Sequence, residues 1–599
     1  MMETATDGEL GNLPGWDLSD LYAGRDAAAL SGDLEAAEKS AGELAERYRG
    51  RLAELDGAAL AELLDAYEGL ADTLGRVMSY AYLDYAADVS DPEAGQFLQT
   101  MQERVNAIGT TTLFVTLELN RIEDDVLAGQ LADPALQRWQ PWIRDTRAFR
   151  EHQLSDELEE MLHEKAVVGR SAWVRLFDET MARLRFEHRG ESLSSAEAFD
   201  LLSDKDGEVR RDIAAEISDV LSENLPTFAL ITNTLVKDKE VEDRWRHFAQ
   251  PISQRNLENL VEDEVVEALI AAVHEAYPRL SHRYYGLKAK WMGVEALDYW
   301  DRNAPLPEDD DTLVPWDAAC NTVLDAYHAF SPELAAIVKR FFDGAWIDAP
   351  VRPGKAPGAF AHPTVPSAHP YLLLNYQGRT RDVMTLAHEL GHGVHQVLAG
   401  AQGALMAETP LTLAETASVF GEQLTFRAML AGESDPVRRR VMIAGKVEDM
   451  LNTVVRQVAF CEFERRLHDA RAEGELTPDA IGELWMSVQG ESLGPAIRMD
   501  DSYRCYWSYI PHFIHTPFYV YAYAFGDCLV NALYAVYQDA EAGFAERYLA
   551  MLRAGGTLRH KELLAPFGLD ASDPAFWRKG LDVIAGLVDE LEDALAETG

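Results

Sequence analysis

The chain has 599 residues, 47% of them hydrophobic, which is enough for two to four domains or one large helical body. Its 101 acidic residues against 54 basic ones give a formal net charge of −47; with no basic field to attract phosphate, nucleic acid is excluded as a partner. No apolar run reaches membrane-spanning length, so no membrane partner is expected.

The acid is spread along the chain, and most of the bases are Arg rather than Lys. Such a surface predicts a protein that works at high salt, where screening relieves self-repulsion. Cys320, Cys461, Cys505 and Cys528 lack C-x-x-C spacing, which argues against a disulfide framework or a thiolate metal site. The first eight residues, Met1 to Gly8, are acidic and polar, without a signal-peptide pattern. A reducing, cytoplasmic location is expected.

The elements follow in chain order. Trp16, Leu18, Leu21 and Tyr22 need burial, so residues 1–26 read as an anchored arm. Helical periodicity runs from Asp26 to about Arg121, with Asp91-Pro92-Glu93 as a good helix start. Residues 122–185 carry shorter amphipathic helices around Trp139, Trp142, Leu158 and Trp173. Arg183 to Leu193 alternates around Gly190 and predicts a small hairpin, after which Ser194-Ser-Ala-Glu197 opens a helix with a capping box. Long helices return from Lys205 to Met292. The acidic run Glu308–Asp311 reads as a solvated loop.

From Pro350 to Pro370 eight prolines and glycines break any helix. Then Tyr371-Leu-Leu-Leu-Asn-Tyr376 predicts a strand that feeds the next helix. Such a strand is placed either to pair with an extended peptide or to serve as buried scaffold.

The next helix carries His388-Glu-Leu-Gly-His392. Residues four apart share one helical face, so both imidazoles can reach one metal ion. Glu389 flanks the first ligand without needing to bind, which is where a general base for a metal-activated water belongs. The apolar surroundings, Leu386, Ala387, Leu390 and Val394, predict a buried helix, where unpaired His and Glu are costly. A third ligand is expected from another element. Glu415, among the small residues Ala414, Ala417 and Ser418, is preferred over Glu408, which is followed by Pro410.

Further on, Tyr503 to Tyr523 is dense in Tyr and holds His512 and His515. Most of these aromatics should be core. A hydroxyl or imidazole aimed at a developing oxyanion is nevertheless what amide hydrolysis requires besides a metal.

Taken together, Trp16–Tyr22, Pro370–Tyr376, Leu386–His395, Ala414–Ser418 and Ile510–Tyr521 resemble oligoendopeptidase F, of the thimet-oligopeptidase-like zinc metallopeptidases. The resemblance runs from about residue 14 to the C-terminus. It implies a mainly α, gluzincin-like fold: a multi-helix ellipsoid with a deep catalytic cleft and a small β-sheet near the active site. It also implies hydrolysis of internal bonds in oligopeptides, and one Zn²⁺ per chain. By motif match His388, His392 and Glu415 correspond to the zinc ligands and Glu389 to the base. His512 and one or more of Tyr519 and Tyr521 match the region that supplies transition-state donors. The expected organisation is an N-terminal helical region (1–121), a small helical lobe with the hairpin (122–195) and a catalytic region (196–599).

Thermolysin-like sites often place an acidic residue four beyond the ligand Glu. Here that position is Val419, so Ser418, Glu422 or Asp382 is expected to support the ligands instead. His395 reads as structural. The rival functions are a zinc exopeptidase on a similar scaffold and an inactive peptide-binding relative.

Overall fold

A computed structural model describes residues 10–166, 168–306, 313–539 and 542–596. Several helices start at an Asp whose side-chain oxygen satisfies an orphan backbone N–H. Asp56 accepts from Ala59, Asp91 from Glu93 with Pro92 in the first turn, and Asp435 from Val437. The predicted capping box forms between Ser194 and Glu197. The result is a mainly α protein with three small sheets among the described residues. No helix among them is long and apolar enough to cross a membrane. The acidic run Glu308–Asp311 and the N-terminal Met1–Gly8 lie outside the described residues.

The fold divides into two compact units, each assembled from segments distant in sequence. The first comprises Met1–Arg150, Asp311–Gly432 and Val536–Leu569. Its helices Ala28–Tyr48, Gly57–Ala87 and Pro92–Thr112 pack on one another through Leu34, Leu60, Leu63, Leu64 and Val77, all fully buried. The N-terminal arm is anchored as expected. Trp16 packs edge-on against Tyr371 with ring centroids 6.0 Å apart, and the Tyr371 hydroxyl donates to Asp17 O at 2.9 Å.

That contact ties the arm to a three-stranded sheet in which Tyr371–Leu373 is the middle strand, parallel to Ile347–Asp348 and antiparallel to Phe360–His362. The predicted strand is therefore scaffold. Both of its edges are taken and its residues are fully buried, so it has no backbone edge to offer a peptide. The far side of Ile347–Asp348 is taken by the N-terminal arm, with Asp17 N–H donating to Ala345 O at 2.8 Å and Ala349 N–H to Pro14 O at 2.9 Å.

The second unit comprises Glu151–Asp310, Glu433–Ala535 and Asp570–Gly599. The predicted hairpin is there, Phe186–His188 against Glu191–Leu193, turning through Arg189 and Gly190 at positive φ. A 39-residue helix, Gly207–Trp245, and the helices Pro436–Thr453, Val455–Glu473 and Pro574–Ala596 form its frame. A two-strand parallel pair, Leu297–Asp298 with Ile497–Arg498, joins segments far apart in the chain. The four cysteines are free thiols.

Candidate metal centre

The helix Thr380–Ala399 carries His388, Glu389 and His392. It starts where Asp382 accepts from the backbone N–H groups of Gln377 at 2.9 Å and Arg379 at 3.0 Å. Asp382 is thereby committed to the helix start rather than to a metal ligand. The helix is held against Thr416–Gly432 by an absence of side chain. A Cβ on Gly391 would stand 2.4 Å from Ala417 O and 2.5 Å from Ser418 Cα. On the second helix, a Cβ on Gly421 would overlap the Tyr327 hydroxyl, which donates to Ala387 O at 2.8 Å. The two helices approach more closely than any residue but glycine permits at the crossing.

Glu415 sits at a break between the helical pieces Leu411–Ala414 and Thr416–Gly432. Its Oε2 lies 3.4 Å from His388 Nε2 and 3.4 Å from His392 Nε2. Among the described residues these three form a group whose ligand atoms all lie within 4.8 Å of one another. The rival Glu408 is exposed in a loop outside the group. A tetrahedral zinc with bonds of about 2.0–2.1 Å separates its ligand atoms by about 3.3–3.4 Å. The two imidazoles and the carboxylate fit such an ion in spacing and in donor type.

Two of the three ligands are supported from behind by a side chain. The Ser418 hydroxyl donates to Glu415 Oε2 at 2.7 Å. Glu422 Oε2 lies 3.3 Å from His388 Nδ1. Two of the three supports considered from sequence are therefore in place. His395 is buried, with burial pushing its imidazole down to about 4, as befits a structural residue.

The charges are unevenly balanced. Burial alone would depress His388, but Glu422, Glu415 and Glu389 outweigh it and raise the imidazole to about 9. Burial holds His392 neutral, down to about 4. Glu415 is disfavoured as an anion by burial, yet the two imidazoles and Ser418 keep it below the usual carboxylate range. Glu389 is 7% exposed. Burial pushes its carboxyl up to about 7, against the pull of His388, while Glu415 adds to the rise; the backbone N–H of Ala361, on the edge strand Phe360–His362, draws it down. A carboxylate poised near neutrality is what a general base requires.

These four residues lie in the first unit; His512, Tyr519 and Tyr521 lie in the second. His512 begins the short helix His512–His515 and is half-buried. Its ring stacks on Tyr519 at 6.2 Å, and its Nε2 lies 3.5 Å from the Tyr523 hydroxyl. Burial, and then Arg456, lowers its imidazole. Tyr521 is fully buried, and its hydroxyl accepts from Asn259 Nδ2 at 2.8 Å. Tyr523 takes the place beside His512 instead. Tyr519 lies in the turn before the helix Tyr521–Gln538, so no helical spacing in the sequence singled Tyr523 out.

Family models decide the relationship. Peptidase family M3 matches residues 200–583. The chain belongs to that family. A second family model, Oligopeptidase F, matches residues 118–186. Oligopeptidase PepF of Bacillus subtilis is 25% identical over 548 residues, covering 89% of this chain and 81% of that protein. In fold, this M3 peptidase resembles a solved chain from Chlamydophila abortus, with a TM-score of 0.84 at 22% identity, covering 99% of this chain and 100% of that one. It also resembles oligoendopeptidase-F from Enterococcus faecium, with a TM-score of 0.70 at 22% identity, covering 95% and 98%. The resemblance read from the motifs holds along nearly the whole chain, and the protein is an enzyme, a metalloendopeptidase of family M3.

Proposed function

We propose that this M3 enzyme is a zinc-dependent oligoendopeptidase that cuts internal bonds of short peptides. His388, His392 and Glu415 would hold the ion. The observation that carries this is the pair of 3.4 Å separations between Glu415 Oε2 and the two imidazole Nε2 atoms. When bound, zinc supplies Lewis acidity to the scissile carbonyl and to an attacking water.

The chain's own residues do the rest. Glu422 accepts from His388 Nδ1–H, which fixes the tautomer that leaves Nε2 free to ligate. Ser418 holds the Glu415 carboxylate in place. Glu389 accepts the proton of the attacking water and passes it to the departing amine. His512 and the hydroxyls of Tyr519 and Tyr523 are assigned to the developing oxyanion, a term of about 3–4 kcal/mol per donor. Tyr521, engaged with Asn259, is assigned to packing and to the position of its neighbours.

The relatives' names support oligopeptides as substrates. The four free thiols favour the cytoplasm, and the charge of −47 favours work at high ionic strength. Metal analysis of the purified protein, combined with an internally quenched peptide blocked at both ends, tests this function. About one zinc per chain and internal cleavage are expected. Metal-free protein with full activity would reject the zinc assignment, and cleavage confined to unblocked ends would reject the endopeptidase assignment.

A further inference from the structure

One buried acid takes no part in the chemistry proposed above. Glu464, on the helix Val455–Glu473, is 1% exposed. Its Oε1 accepts from the backbone N–H of Phe518 at 2.8 Å. Its Oε2 is buried with no hydrogen-bond partner among the described residues. A half-satisfied acid in a core is costly, so its one contact must matter.

That contact falls on a strained residue. Phe518 has φ +58, in the left-handed region that a Cβ-bearing residue avoids. Phe518 is fully buried, with its ring 4.9 Å from that of His468. The preceding carbonyl, Pro517 O, accepts from Arg255 Nε at 3.2 Å. Pro517 O and Phe518 N belong to one peptide group. Arg255 and Glu464 therefore hold opposite ends of a single peptide plane, and block the flip of that plane that would release the strain. Strain held by surrounding contacts clusters at functional sites. The next residue along is Tyr519, which stacks on His512 and meets Tyr523 with ring centroids 5.2 Å apart.

We propose that Glu464 is a positioning residue for Tyr519: with Arg255 it locks the Pro517–Phe518 peptide plane and so sets the Tyr519 side chain beside His512 before a substrate arrives. This rests on Tyr519 being an oxyanion donor. The contact needs an acceptor, not a charge. Burial pushes the Glu464 carboxyl up to about 8, against the pull of Phe518 N–H and of Arg255 and Lys239, and the carbonyl oxygen of the neutral acid accepts as well as a carboxylate oxygen. Glutamine offers the same oxygen.

The test measures kcat and KM on an internally quenched peptide, with a thermal melt of each variant. The variants are Glu464→Ala, Glu464→Gln, Tyr519→Phe and the double Glu464→Ala/Tyr519→Phe. Tyr519→Phe is expected to lower kcat about 100-fold. Glu464→Ala should lower kcat by a comparable factor with KM little changed, and Glu464→Gln should stay within about threefold of wild type. The double variant should be no slower than Tyr519→Phe alone, because both changes remove one effect. Losses that multiply in the double variant, or a glutamine variant as slow as the alanine one, overturn the proposal while leaving Tyr519 as a donor. Tyr519→Phe at the wild-type rate removes the donor role itself, and the proposal with it. Should Glu464→Ala fail to fold, Arg255→Leu releases the other end of the same peptide plane, and its cycle with Tyr519→Phe is read in the same way.

Discussion

Glu422 Oε2 lies 3.3 Å from Nδ1 of His388, while the other nitrogen of that ring lies 3.4 Å from Glu415 Oε2. One imidazole is thus gripped from behind by a carboxylate and faces a second carboxylate in front. Carboxylates that orient ligating imidazoles are typically worth about 10–100-fold in metal affinity. Glu422→Gln should weaken zinc binding by roughly that factor, read by competition with a chromogenic chelator. An unchanged affinity would show that the His388 tautomer is set by something else.

Glu389→Gln should keep its metal and lose turnover by at least about 100-fold, the usual scale for a missing general base. Zinc content and single-turnover cleavage report the two halves separately. A near wild-type rate would put the base elsewhere.

The pH dependence of kcat/KM follows from the same residue. Glu389 acts as a base only when ionised, so activity rises with pH as its proton leaves. Burial places that loss at about 7 with only the protein's own groups acting on it. A bound divalent cation favours the anion and moves the acidic limb below 7. A profile that falls with increasing pH across this range would contradict the assignment.

Gly391→Ala tests the helix crossing. Its Cβ would meet Ala417 O and Ser418 Cα at 2.4 and 2.5 Å, so the helices must separate. Overpacking of this kind costs about 1–3 kcal/mol. Because Glu415 lies just before this contact, zinc affinity should fall along with the melting temperature. A stable variant with intact affinity would mean that the helices can shift without moving the ligands.

Stability should also depend on pH through Glu464. Its folded-state carboxyl, raised to about 8 by burial, keeps a proton that the unfolded chain has already lost above its ordinary value of 4.5. The stabilisation is therefore fully present below 4.5 and is lost as pH rises through 8, a loss of a few kcal/mol at most. Urea unfolding at pH 5, 7 and 8 should show this decline in the wild type and a flatter profile in Glu464→Gln. Parallel profiles would show that Glu464 is not protonated in the fold.

Salt provides the last test. With a net charge of −47, self-repulsion should weaken as the screening length shrinks from about 10 Å at 0.1 M to about 3 Å at 1 M. The melting temperature should rise between 0.1 and 2 M KCl. A flat or falling trend would remove the high-salt expectation.

The sequence by itself determined the helical character, the anchored arm, the hairpin at 183–193 and the His388/Glu389/His392 constellation. Each is a local pattern: side-chain periodicity, a capping residue, or a four-residue spacing on one helix face. It also narrowed the third ligand to Glu415 over Glu408, because a proline so close to Glu408 disfavours a helix there. Only the tertiary structure decided what depends on residues far apart in the chain. The strand at 371–373 is the middle of its sheet because Ile347–Asp348 and Phe360–His362 flank it. Tyr521 turns its hydroxyl to Asn259, 262 positions away, while Tyr523 meets His512. Glu422, seven residues beyond Glu415, backs His388 because glycine at the helix crossing lets two backbones nearly touch. Hydrogen bonds between distant elements depend on where packing brings those elements, and no short stretch of sequence carries that information.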